Sequence, residues 1–241
     1  ASVEQTLAEV RAAGGDGLAA VCDVTSEESF AAVAARLKAE WGGVDVLVNN
    51  AGVATKGTVE EASIEQWQWV LNINLLGCVR GARAVIPLMT AQGSGHIVNI
   101  ASFAGIANPP AMASYNAAKA AVISLSESLR HEMEPHGVGV SVACPSFFKT
   151  NLVANSRAGA HLDSDEPAPQ MDRIVQRLME KSAFTADNVA DYIFDAVQTK
   201  KFLVLASADD RRQVLIKRAS PEWYFKLVQK STEKFMQRRK Q

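Results

Sequence analysis

At 241 residues, 48% of them apolar and 21% charged, the chain is long enough for one domain with a sizeable core and has the composition of an ordinary water-soluble globular protein. Its formal net charge of −1 gives no sign of nucleic-acid binding. No apolar stretch approaches the ~18 residues of a membrane span, and the first residues carry no basic-then-apolar leader.

In chain order, Ser2 to Ala13 reads as a helix with Val3, Leu7 and Val10 on one stripe and Gly14-Gly15 as its stop. Leu18 to Val24 reads as a short apolar strand, and Thr25-Ser26-Glu27-Glu28 opens a helix running to about Glu40. Trp41-Gly42-Gly43 ends that helix, and Val44 to Val48 is a second buried strand. A long helical region around Ser63 to Ala91 places Trp67, Val70, Leu71 and Leu75 at helical spacing, with Pro87 expected to break or bend its end. His96 to Ala101 is a strand, Ala113 to Glu134 a helix and Val138 to Ala143 a strand. Asn151 to Gln170 is polar and reads as a loop, followed by helices at Met171 to Lys181 and Asp187 to about Thr199, a strand at Phe202 to Leu205 and helical C-terminal segments. Buried strands alternating with amphipathic helices imply a parallel sheet covered on both faces. One α/β domain over 1–241 is expected, a Rossmann-like doubly wound sheet in three α/β/α layers, with 151–181 as a substrate-loop region inside it.

Tyr115-Asn-Ala-Ala-Lys119 puts a phenol and an ammonium one helical turn apart on the same face. A free tyrosine, with a pKa near ~10, is a poor acid-base group at neutral pH. A fixed positive charge nearby favours the phenolate and lowers that pKa, as proton exchange with an alcohol requires. Ser102, at the end of a buried strand, could hold the substrate oxygen. Taken alone, Tyr-x-x-x-Lys is a common pattern, and a half-buried tyrosine beside a solvated lysine explains most matches. Cys22, Cys78 and Cys144 are odd in number and sit in or beside apolar segments, so they read as core residues of a reducing, cytoplasmic compartment. His96, His131, His136 and His161 form no metal-ligand spacing, and no metal is expected.

The Tyr-Lys pair stands in an ordered series: Asn49-Asn50-Ala51-Gly52, Asn72-Ile73-Asn74-Leu75-Leu76-Gly77, Ile97-Val98-Asn99-Ile100-Ala101-Ser102, then Cys144-Pro145-Ser146-Phe147-Phe148-Lys149-Thr150. In this order and spacing the chain resembles the short-chain dehydrogenase/reductase family from about Leu18 to Thr150. The resemblance implies an oxidoreductase that transfers a hydride between NAD or NADP and a secondary alcohol or ketone. It implies Tyr115 as acid-base, Lys119 as the group that lowers its pKa and bonds the nicotinamide ribose, and Ser102 as the orienter of the substrate oxygen. Asn74 would hold a water linking Lys119 to solvent, with Asn72 the nearby alternative. Asp23 and Val24 would edge the adenine, Asn50, Ala51 and Gly52 the adenosine ribose, and Pro145, Phe148 and Thr150 the nicotinamide. Ser146 stands where the family has glycine. The family's opening strand and Gly-rich turn have no counterpart here, so the fold is expected to be N-terminally incomplete, and the residue that chooses between NAD and NADP is not among these residues.

Phe103, Ile106, Pro109, Pro110, Met112, Phe147 and Phe148 surround the catalytic positions in sequence and suit a bulky apolar substrate, or equally ordinary core packing. By resemblance a homodimer or homotetramer would form through the helices at Ser63–Ala91 and Ala113–Glu134. The tail from Lys217 interleaves Lys226, Lys230, Lys234, Arg238, Arg239 and Lys240 with Trp223, Tyr224, Phe225, Leu227, Val228 and Phe235. A basic amphipathic helix of this kind can lie on an anionic membrane, but it is more often docked on its own protein, and no membrane partner is expected. Two rivals stand beside the oxidoreductase: a cofactor-free binding or scaffold protein retaining the fold, and a sugar-nucleotide epimerase or dehydratase, for which the C-terminal region looks too small.

Overall fold

Four strands, β1 (Val46–Asn49), β3 (Gly95–Ile100), β4 (Val138–Cys144) and β6 (Leu203–Leu205), bond side by side in the order β1–β3–β4–β6, every pair parallel. The computed structural model describes residues 3–146, 157–158, 182 and 184–237. Parallel neighbours need crossovers, and helices supply them: α3 (Ile64–Asn74) and α4 (Leu76–Gln92) between β1 and β3, α6 (Ala113–Met133) between β3 and β4, and α7 (Ala186–Thr199) before β6.

The two-residue period of the strands sorts their side chains between two helical layers. Ile97 of β3 and Val138 and Val140 of β4 pack with Val85 and Met89 of α4 and Leu129 and Met133 of α6. On the opposite face Ile100, Ala143 and Val204 meet Ile193 and Ala196 of α7. This is the expected three-layer α/β/α arrangement. Asn49 of β1 ties the layers at one point, its amide donating to Asn99 Oδ1 at 2.8 Å and to the Cys78 carbonyl at 3.3 Å. Gly81 of α4 lies against that amide, and a Cβ there would come within 2.2 Å of Asn49 Oδ1.

Several elements depart from the sequence reading. Leu18 to Val24 forms no strand and is bonded to none among the described residues, and Val21 is 98% exposed. A strand gains its stability from ladder partners, and here the nearest sheet edge, β1, lies across a cleft of about 280 Å³ lined by Cys22, Val24, Phe30, Val46 and Val48. The helical region at 63–91 is two helices that meet at Leu75 (φ −99°, ψ −59°), beside the wholly buried Asn74. Pro87 lies within α4, which runs on to Gln92. Both Pro87 and Arg83 are on the exposed side, where water can bond the carbonyl that proline leaves without a donor. Within the polar 151–170 segment, Arg157–Ala158 forms a short strand, β5, parallel to β2 (Thr55–Lys56). The helix expected at Met171–Lys181 lies outside the described residues.

Other local signals are met. Helix α1 (Val3–Ala12) ends before Gly14 at φ +85°. Helix α2 (Glu27–Trp41) starts at Ser26, whose hydroxyl accepts from the Ser29 N–H, and stops at left-handed Gly42. After β6 come α8 (Ala208–Ala219), with Ser207 and Asp210 capping each other reciprocally, and α9 (Pro221–Gln237).

Candidate active site

The loops after β1, β3 and β4 converge at the carboxyl ends of their strands, where open α/β sheets bind ligands. Ser102 follows β3 and opens onto α5 (Ala104–Ala107), and Tyr115 and Lys119 lie in the first two turns of α6. Gly105 of α5 sets the distance between the two groups. A Cβ there would stand 2.6 Å from the Lys119 carbonyl carbon and 2.7 Å from Ala120 N, so α5 rests directly on the α6 backbone. The entry to α6 is stitched in place as well. Thr55 and Ser114 share a hydroxyl hydrogen bond of 2.7 Å, Gly57 N–H donates to the Ala111 carbonyl at 2.9 Å, and Asn116 donates to the Pro109 carbonyl at 2.7 Å. Ala111 itself is left-handed (φ +61°), a conformation that costs an alanine about 1 kcal/mol or more.

Tyr115 is buried, and the Ser102 hydroxyl lies near enough to favour its phenolate; Ser102 Oγ itself accepts from the Ala104 N–H at 3.1 Å. Burial pushes the phenol above its ordinary range, and Ser102 only partly offsets that. The expected lowering by Lys119 is therefore not what prevails: the ammonium lies 5.8 Å from the ring centroid, and desolvation of the phenolate outweighs it. Lys119 is buried too, and desolvation pulls its pKa down. Its thiol neighbours give no counter-charge at neutral pH, because burial raises both Cys78 and Cys144, the latter to about 12. Among the described residues the ammonium donates one bond, to the Ile100 carbonyl at 2.7 Å, which leaves two of its three protons for other acceptors.

Asn74, not Asn72, faces this group. Asn74 is clamped to the backbone of Val53, accepting from its N–H at 2.8 Å and donating to its carbonyl at 2.9 Å. A Cβ on Gly52 would lie 3.3 Å from Asn74 Oδ1 and 3.6 Å from Lys119 Nζ, so the bare glycine keeps the ground beside the ammonium open. Asn72 is spent on Arg80, which it holds with both its side-chain and backbone oxygens.

A family model described as short chain dehydrogenase matches residues 1–161. The chain belongs to the short-chain dehydrogenase family. "Probable oxidoreductase EphD" of Mycobacterium tuberculosis is 36% identical over 202 residues, which cover 83% of this chain and 34% of that protein. The chain thus spans about a third of that relative's length. A CLA biosynthesis dehydrogenase/reductase of Lactiplantibacillus plantarum is 29% identical over 85% of this chain and 75% of its own. Among solved structures, a short-chain dehydrogenase/reductase from Burkholderia phymatum in complex with NAD superposes with a TM-score of 0.82 at 32% identity, covering 92% of this chain and 82% of that one.

In this short-chain dehydrogenase chain, Ser102, Tyr115, Lys119, Asn74 and Gly52 are brought together, and the outer candidates are placed as follows. Asn50 and Ala51 are exposed on the turn after β1. The Asp23 carboxylate turns back to accept from the N–H and hydroxyl of Thr25, both at 2.8 Å, which hold its pKa down. The Val24 carbonyl accepts from Arg80 at 3.1 Å. Pro145 gives its carbonyl to the Phe103 N–H at 2.9 Å. Phe148 and Thr150, with Phe147 and His161, lie outside the described residues. Phe103 is buried in a core cluster with Val122, Val142 and Cys144, and Ile106 packs against it, so these two are core. Three groups escaped the sequence reading: the Ile100 carbonyl, the Val53 backbone and Gly105. The first two are main-chain partners, and Gly105 has its reason only in a contact between distant segments.

Proposed function

We propose that this protein is an oxidoreductase that transfers a hydride between NAD or NADP and a secondary alcohol or ketone, with Tyr115 as the acid-base group. One observation carries the reading. A buried phenol, with the Ser102 hydroxyl near it, lies beside a buried ammonium that among the described residues has two unspent protons and no anionic partner. Burying a charge in that way is costly unless a ligand completes its bonding. The residues fit the ribose and nicotinamide end of a dinucleotide: Lys119 would hold ribose hydroxyls, and Gly52 leaves room beside it. When bound, the dinucleotide supplies or accepts the hydride and, in its oxidised form, brings a positive ring.

The chain's own groups do the rest. Ser102 fixes the substrate oxygen against the Tyr115 hydroxyl. In reduction the Tyr115 phenol gives its proton to the oxygen as the carbonyl becomes an alkoxide, and in oxidation its phenolate takes the alcohol proton. Asn74 acts as a positioning residue that holds the Val53 backbone, and with it the Gly52 turn, beside Lys119. Asp23, Val24, Asn50 and Ala51 would meet the adenosine half, and Pro145, Phe148 and Thr150 the nicotinamide. Exposed Pro110, with part-exposed Pro109 and Met112, supports a bulky apolar substrate. A cytoplasmic homodimer or homotetramer built on α3, α4 and α6 remains the expected form.

Fluorescence titration of the full-length protein with NADH and NADPH tests this reading. Micromolar binding of one of them, weakened about tenfold or more by Lys119→Met, is the expected result, with turnover of secondary alcohols from a panel. Unimpaired binding in Lys119→Met would remove Lys119 from the cofactor site, and no binding of either cofactor would leave the scaffold reading.

A further inference from the structure

We propose that helix α9 docks the protein on an anionic membrane surface through the face that carries Trp223, Lys226, Leu227 and Lys230. The charge of the molecule is strongly segregated. From Lys200 to Gln241 there are twelve Lys and Arg against four Asp and Glu, although the whole chain sums to −1. The final helix is not a free arm. Tyr224 is buried and its hydroxyl donates to Gln213 Oε1 of α8, with Lys217 lying 5.9 Å over its ring. One face of α9 is thus fixed to the body and the helix cannot simply turn its apolar residues inward.

The residues at i, i+3, i+4 and i+7 from Trp223 form a second face, centred about 110° around the helix from Tyr224. All four are exposed, Trp223 by 53% and Leu227 by 38%, and Phe225 on the opposite flank by 61%. Neither Lys226 nor Lys230 has a carboxylate partner among the described residues. A fixed helix offering an indole and a leucine beside two free ammonium groups matches what a headgroup layer of negative lipids accepts: apolar anchors at the acyl boundary and cations among phosphates. Sequence continues the basic run with Lys234, Arg238, Arg239 and Lys240. An acidic protein would also meet the charge, but the indole and leucine standing among the lysines favour the bilayer. No described helix is long and apolar enough to span a membrane, so attachment would be peripheral and reversible.

Sedimentation of the full-length protein with phosphatidylcholine vesicles, with and without about one-third phosphatidylglycerol, tests the proposal without any readout of catalysis. The expected result is binding to the anionic vesicles only, lost when salt rises to about 0.5 M. It should be weakened about tenfold or more by Lys226→Glu/Lys230→Glu, and also by Trp223→Ser/Leu227→Ser. Both pairs are exposed, and unchanged circular dichroism would show that the fold survives. The proposal is overturned if anionic vesicles are not bound at low salt, or if either pair leaves binding intact. It is overturned equally if the Trp223→Ser/Leu227→Ser pair instead dissociates an oligomer, which would place a second copy on this face.

Discussion

At Tyr115 two opposed influences decide the chemistry: burial favours the neutral phenol, and the nearby Ser102 hydroxyl pulls less strongly the other way. The direction has a kinetic consequence. Ketone reduction needs the protonated phenol and should hold its rate across neutral pH, declining only above the ordinary tyrosine range near ~10. Alcohol oxidation needs the phenolate, which takes the alcohol proton, so its kcat/KM should climb with pH through the alkaline range. Rate profiles in both directions check this, and an oxidative profile flat from neutral pH upward would show that something holds the phenolate down. The identities of Ser102, Tyr115 and Lys119 were legible because a strand end and a four-residue helical spacing fix them locally. The direction of the tyrosine shift was not, because spacing gives the distance to Lys119 but not how much water is excluded. Asn74 could be told from Asn72 only by its place before Gly77. Its hold on Val53 depends on a contact 21 residues away.

Among elements, the pairing of α5 with α6 governs the site. Gly105→Ala places a methyl 2.6–2.7 Å from the α6 backbone, and neither partner is a flexible side chain that could yield. Helix α5 must shift away from α6, carrying Ser102 from Tyr115. Overpacking of this kind costs ~1–3 kcal/mol. The variant should lose stability by that amount in urea unfolding and lose kcat by more than a surface glycine change such as Gly93→Ala. Equal kcat for Gly105→Ala and wild type would contradict this role. Most helices and strands were legible from periodicity and caps, as at Ser26, Gly42 and Ala186–Thr199. Leu18–Val24 was not, because an apolar run predicts a strand's side chains but not the ladder partner its backbone needs. The β2–β5 pair was hidden for a like reason: two residues at Thr55–Lys56 carry no period.

At the scale of the molecule, a polar seam crosses the sheet beneath the site. Ser141 donates its hydroxyl proton to the Lys201 carbonyl at 2.7 Å, so it must accept from His96 Nε2–H, also at 2.7 Å. His96 Nδ1 is then the bare nitrogen, and it faces Gly139, where a Cβ would come within 2.4 Å. Burial, with the Lys200 charge, lowers the His96 pKa. A depressed folded-state value means that the unfolded chain binds the extra proton first. The stability from the neutral ring is therefore present above the ordinary histidine value near ~6.5 and is lost as pH falls through the folded pKa. Urea midpoints should drop between about pH 7 and pH 5, and His96→Gln should flatten that slope. An equal slope in the variant would assign the acid sensitivity elsewhere. The seam joins β3, β4 and the entry to β6, the frame that brings Ser102 and Tyr115 together.

Whether Tyr115 exchanges the proton with the substrate oxygen is decided by Tyr115→Phe in the full-length protein. The measurement is the initial rate of nicotinamide reduction on a bulky secondary alcohol, with cofactor affinity taken on the same samples. Affinity should stay within about twofold of wild type while kcat falls by ~10²–10⁴. Wild-type turnover in Tyr115→Phe with cofactor bound equally well would contradict that exchange.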